Sequence, residues 1–121
     1  MAAIANITTG EQTKTTTGAI TGSLDTSAKS GDYTVKARFK LDSGQKAVVA
    51  LEDTANVTPF SDAVQVAIFH VVGGQPADGS YHERKNYDIP GTRFGVTNSA
   101  LRLNVLSISG GTLTAFGWLE Q

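Results

Sequence analysis

The chain has no cysteine, which removes a disulfide framework, a thiol nucleophile and cysteine-ligated zinc together. With two histidines, a three-histidine zinc site cannot be built within one chain. An excess of one charge is also missing: ten Lys+Arg stand against eleven Asp+Glu, a net charge of −1. No electrostatic field therefore draws the chain to nucleic acid or to an anionic membrane surface, and neither is expected as a partner. No apolar run approaches the roughly 18 residues of a spanning helix. Met1 to Thr9 lacks the basic region and longer apolar run of a secretory signal, so synthesis in a cytoplasm is expected. The nucleophile elbow G-x-S-x-G, the dinucleotide loop G-x-G-x-x-G, the Walker loop and H-E-x-x-H are all absent. The expectation is no enzyme, no cofactor and no metal.

What is present is 121 residues and 12.7 kDa, enough for one domain with a single core. Hydrophobic residues make up 40% and charged residues 17%, a balance suited to a packed globule. From Asp32 to Leu41, Tyr33, Val35, Ala37, Phe39 and Leu41 alternate with polar residues, the pattern of a half-buried strand. Asp42-Ser43-Gly44 then leads into Lys46–Glu52, which reads as the second arm of a hairpin. Ala63–Val72 is apolar on both faces and reads as a buried strand, Ser80–Ile89 as a polar edge strand, and Thr92–Val96 as a short one. Leu101, Leu103 and Val105 alternate again, and Gly110-Gly111 is expected to close a final hairpin onto Thr112–Leu119. Short strands at intervals of about ten residues predict an all-β fold, an antiparallel β-sandwich of jelly-roll type.

Residues 1–27 differ from the domain at 28–121. Eight threonines dominate this segment, with Ile4, Ile7, Ile20 and Leu24 its main apolar side chains. Two readings are open: a frayed terminus followed by an edge strand, or an extended arm lying on the sheet edge of a neighbouring subunit.

Candidate sites are few. His70 lies in the apolar run and is expected to be a hydrogen-bonded core histidine; His82, beside Glu83, Arg84 and Lys85, belongs to a solvated strand face. Glu52, Asp53, Asn56 and Asp62 offer oxygens but fit no calcium-loop spacing and are expected in a solvated loop. Lys36, Arg38 and Lys40 form a row of cations at alternate positions, either a solvated face or a contact for an acidic protein surface. The second apolar faces of Ala63–Val72 and of the last strand need covering, either within the sandwich or by a protein partner. The expected partner-contact residues are Ile4, Ile7, Lys36, Arg38, Lys40, Phe69, Phe116 and Trp118, with the two large aromatics of the last strand as anchors.

The stretch Gly31-Asp32-Tyr33-Thr34-Val35-Lys36-Ala37-Arg38-Phe39-Lys40-Leu41, with Ala47–Asp53 and Arg93-Phe94-Gly95-Val96, resembles the small all-β virion proteins that decorate or cement the capsids of tailed bacteriophages. The resemblance spans about residues 31–120 and rests on strand rhythm and composition. It implies a homo-oligomer, dimer or trimer, made in the host cytoplasm and bound in many copies to the major capsid protein on the outside of the head. The same aromatic strand and the small-residue strand after it also resemble laminin-G or concanavalin-like sandwiches. That likeness implies glycan binding, with Tyr81, Tyr87 and Trp118 as stacking surfaces.

Overall fold

The computed structural model describes residues 5–26, 31–54, 56–57, 60–61, 63–74, 81–89 and 100–120, with the backbone alone for 56–57, 60–61 and 81–89 other than Lys85. These residues contain no helix. Six long strands carry the fold: β5 (Gly31–Leu41), β6 (Lys46–Thr54), β9 (Val64–Val72), β10 (Tyr81–Ile89), β11 (Ala100–Ile108) and β12 (Leu113–Glu120). Before them come four short ones, β1 (Ala5–Asn6), β2 (Gln12–Lys14), β3 (Gly18–Ala19) and β4 (Leu24–Asp25). Between β6 and β9, β7 (Asn56–Val57) and β8 (Phe60–Ser61) form a two-stranded ribbon.

The long strands divide into two antiparallel sheets, which makes the chain a β-sandwich. Sheet A has the order β12-β5-β10 and sheet B the order β11-β6-β9. Alternation along each strand sends one set of side chains between the sheets. Val35, Ala37 and Phe39 of β5 face Val49, Leu51 and Phe69 of sheet B, each 0% exposed. The Phe39 and Phe69 rings meet across the core at 5.6 Å and 58°.

Two connections differ from the expected hairpins. β5 pairs with β12 and β10, while β6 pairs with β11 and β9, so the turn at Asp42–Gln45 carries the chain from one sheet to the other. Gln45 N–H donates to the Asp42 carbonyl at 3.1 Å within that turn. Gly110-Gly111 makes the same passage from β11 to β12. A tight turn between two alternating strands buries the same apolar sets whether the strands lie side by side or face to face. Local pattern does not distinguish the two.

The N-terminal segment lies along the edges of this chain's own sheets. β1 and β2 both pair with the outer side of β12, Ala5 opposite Leu119 and Thr13 opposite Thr114. β3 and β4 pair with the outer side of β11, Ala19 opposite Asn104 and Leu24 opposite Leu101. The segment drops Ile7, between β1 and β2, and Ile20, between β3 and β4, into the core, each 1% exposed. Each is fixed to its sheet by the backbone: Ile7 N–H donates to the Gly117 carbonyl of β12 at 2.8 Å, and Ile20 N–H to that of Leu103 in β11 at 2.9 Å. Gly22, at φ +115, is a requirement of this path, because a Cβ there would stand 2.4 Å from the backbone nitrogen of Thr9.

β9 departs from expectation in a second way. Its register on β6 slips between Leu51 and Glu52, which oppose Ala67 and Gln65 and leave Val66 as the extra residue of a bulge. Beyond the bulge Phe69 and Val71 point into the core, while His70 is exposed and Val72 is 44% exposed. His70 is therefore a surface residue rather than the core histidine expected from its apolar neighbours. Beyond the bulge the odd-numbered side chains turn inward.

Candidate interaction face

The outward side of sheet A is built by period-two alternation on two neighbouring strands. β5 sends out Asp32, Thr34, Lys36, Arg38 and Lys40; β12 sends out Thr114, Phe116, Trp118 and Glu120. Their register sets them in rows: Lys40 beside Thr114, Arg38 beside Phe116, Lys36 beside Trp118, Thr34 beside Glu120. Arg84 pairs with Lys36 on the other side of β5, and Asp88 with Asp32.

Contacts follow from those rows. Phe116 and Trp118, two residues apart on one strand, stack at 5.0 Å with 27° between their planes. The Arg38 guanidinium lies 5.5 Å from the Phe116 ring centre, a cation held over a π-face by the direct cross-strand pairing. Glu120 is covered from two sides: the Trp118 indole N–H donates to its Oε2 at 2.6 Å, and Lys36 Nζ stands 3.0 Å from the same oxygen. The indole hydrogen bond, with the Lys36 ammonium second, holds the Glu120 carboxyl below the ordinary glutamate range, and the cost of its burial offsets only part of this. Glu11, from the turn before β2, accepts a hydrogen bond from Arg38 Nη2 at 3.2 Å. Lys40 and Asp32, at opposite ends of β5, are exposed.

Five of the eight expected contact residues thus meet on one face: Lys36, Arg38, Lys40, Phe116 and Trp118. Ile7 and Phe69 do not join them. They are core residues, 1% and 0% exposed, because Ile7, between β1 and β2, joins the cluster between the sheets and Phe69 packs on Phe39. They present no side chain to a partner. Ile4 lies outside the described residues, as do Asp62, residues 92–96 and the side chains of Tyr81, His82 and Tyr87. Glu11 and Glu120 were invisible as members of the face, since nothing local marks an acid 27 positions from its arginine.

The chain matches no protein-family model, no curated protein and no solved structure.

The opposite side of the sandwich holds a different polar group. Glu52, expected in a solvated loop, sits within β6 and is 7% exposed. Arg102 Nε donates to it at 2.8 Å and Asn104 Nδ2 at 2.9 Å, both from β11. Asp53, also expected in that loop, is 6% exposed in the same strand. The strand extends further than its composition suggested because Thr54 still pairs with Ala100. Among the described residues no group of three or more His, Asp or Glu is placed to hold a metal ion. Glu52 and its two donors form a satisfied structural network.

Proposed function

We propose that this chain is a structural virion protein that decorates the outer surface of a phage head and stabilises it by repeated protein–protein contact. The observation that carries the reading is the outward side of sheet A, where a stacked Phe116–Trp118 pair lies among Lys36, Arg38 and Lys40. Aromatic anchors bordered by charge are the composition of protein contact surfaces. A small face of this kind binds weakly as a single copy and strongly as part of an array, because attachment of one contact raises the effective concentration of the next. The sandwich supplies a rigid support for such a face. Its N-terminal strands, paired along β12 and β11, leave those edges unavailable for sheet-to-sheet aggregation.

The test is mass spectrometry of purified virions made by the genome that encodes the chain, with copy number measured against the major capsid protein. Shells lacking the chain should rupture at a lower temperature, and adding it back should restore them. The stacked rings support a second reading, in which a sugar ring packs on Trp118. Retention of defined glycans on an array, with absence from virions, would select that reading and refute decoration.

A further inference from the structure

We infer that the outward side of sheet A is self-complementary, and that its partner is a second copy of this chain laid face to face with its strands reversed. The inference rests on the reading of that side as a protein contact and names what it contacts.

Charge runs along the face in one direction. The row at the start of β5 holds Asp32 and the next holds Glu120; Lys36, Arg38 and Lys40 follow. The two cations nearest the middle are already balanced within the chain, Lys36 by Glu120 and Arg38 by Glu11. The exposed ends remain, an anion at Asp32 and a cation at Lys40, neither with an ion-pair partner among the described residues. At ~3.4 Å per residue these ends are about 27 Å apart.

A two-fold axis in the plane of the interface, crossing the strands at the row of Lys36 and Trp118, sets Lys40 of each copy over Asp32 of the other. Such a contact is isologous, so each pairing occurs twice. Trp118 lies at the axis beside Lys36, whose ammonium is balanced by Glu120, and Arg84 holds the register position on the other side of β5. The parallel arrangement sets Lys40 on Lys40 and Asp32 on Asp32, which opposes like charges at both ends.

Size sets the strength. Three strands at ~4.8 Å spacing and this length cover roughly 400 Å² per copy, about 800 Å² in all. That lies below the ~1,200 Å² at which specific complexes become stable alone. The pair is therefore weak in solution and populated only at high protein concentration.

Sedimentation equilibrium up to about 1 mM protein, at low and high salt, reads the pairing directly. Lys40→Asp reverses two of the cross-axis contacts and should weaken association by about tenfold or more. The double variant D32K/K40D exchanges the ends, restores opposite charges across the axis and should recover association to within about threefold of the wild type. Both positions are exposed, and circular dichroism checks that each variant is folded. A wild type that stays monomeric overturns the inference, and so does a double variant no better than the single one. A monomer that still binds shells would leave decoration standing without the pairing. A chain that pairs as described but is missing from virions would retain the pairing and refute decoration.

Discussion

Replacing Ile7 by alanine asks whether the first 26 residues are part of the fold or an appendage to it. Ile7 is 1% exposed, sits among core side chains contributed by both sheets, and is fixed by its N–H to the Gly117 carbonyl at 2.8 Å. The substitution removes three carbons, worth about 2.4 kcal/mol at ~0.8 kcal/mol per buried methylene. The surroundings belong to two sheets already paired on their other sides, so they close poorly around the gap, and the residual cavity adds about 1 kcal/mol. The expected loss is about 3–4 kcal/mol, or roughly 12–16 °C in Tm for a chain of this length. Urea unfolding at constant m-value measures it. Val64→Ala, at a site 59% exposed, should change stability by less than about 0.5 kcal/mol under the same conditions. Were Ile7→Ala to cost under about 1 kcal/mol while Leu51→Ala, at 0% exposure, cost the ~2–5 kcal/mol of an ordinary core truncation, the argument that the segment completes the core would be refuted.

Other perturbations test other contacts. Thr8 Oγ1 accepts from the buried Gly117 N–H at 3.1 Å, so Thr8→Val should strand that donor and cost about 1–3 kcal/mol in denaturant unfolding. At Gly117 a Cβ would stand 2.8 Å from Leu103 Cδ1; Gly117→Ala should destabilise by about 1–3 kcal/mol through overpacking, and loss of that penalty in the double variant with Leu103→Ala would identify the clash as its cause. Arg102→Met leaves the Glu52 carboxylate with Asn104 and should cost more than about 2 kcal/mol, whereas adding Glu52→Gln should recover part of it. Glu120 has its carboxyl pKa lowered by Trp118 and Lys36. Its contribution to stability is therefore complete above the ordinary glutamate value of about 4.3 and fades as pH falls through the lower folded value. Fluorescence of Trp118, the one tryptophan, should titrate in that low range and be flat there in Glu120→Gln; a midpoint at or above the ordinary value would contradict the assignment.

Strand positions were legible because burial selects them one residue at a time. Alternation from Asp32 to Leu41 identifies β5, and Leu101, Leu103 and Val105 identify β11, independently of what lies opposite. Sheet membership was not legible, because Asp42–Gln45 and Gly110-Gly111 connect strands whose inward sets are satisfied equally by pairing within a sheet or by facing across the core. The bulge at Val66 was hidden for a related reason. In a run apolar at every position but Gln65 and His70, a shift of one residue leaves no mark in the pattern, and His70 was placed on the wrong side in consequence. For the face, period two alone grouped Lys36 with Arg38 and Lys40, and Phe116 with Trp118. That the two groups are neighbours depends on Arg38 pairing with Phe116 across 78 positions of chain, which local chemistry does not encode.

The threonine-rich start reads as an arm because it has too little apolar surface to fold by its own burial, and the structure turns that shortage to use. Strands of two or three residues suffice when the partner strand is already ordered: each adds edge hydrogen bonds at small entropic cost, and Ile7 and Ile20 anchor the segment to the core. Each of the four sheet edges then has a feature that opposes further pairing. The segment occupies the sides of β12 and β11. β9 carries the bulge. β10 is rich in charge and holds Lys85 at the inward register position opposite Val35, its ammonium 5.9 Å from the Phe69 ring centre, a device that opposes strand addition at an edge. Edges protected in this way oppose strand addition, which favours the faces as contact surfaces. The face that combines stacked aromatics with a gradient of charge is the outward side of sheet A.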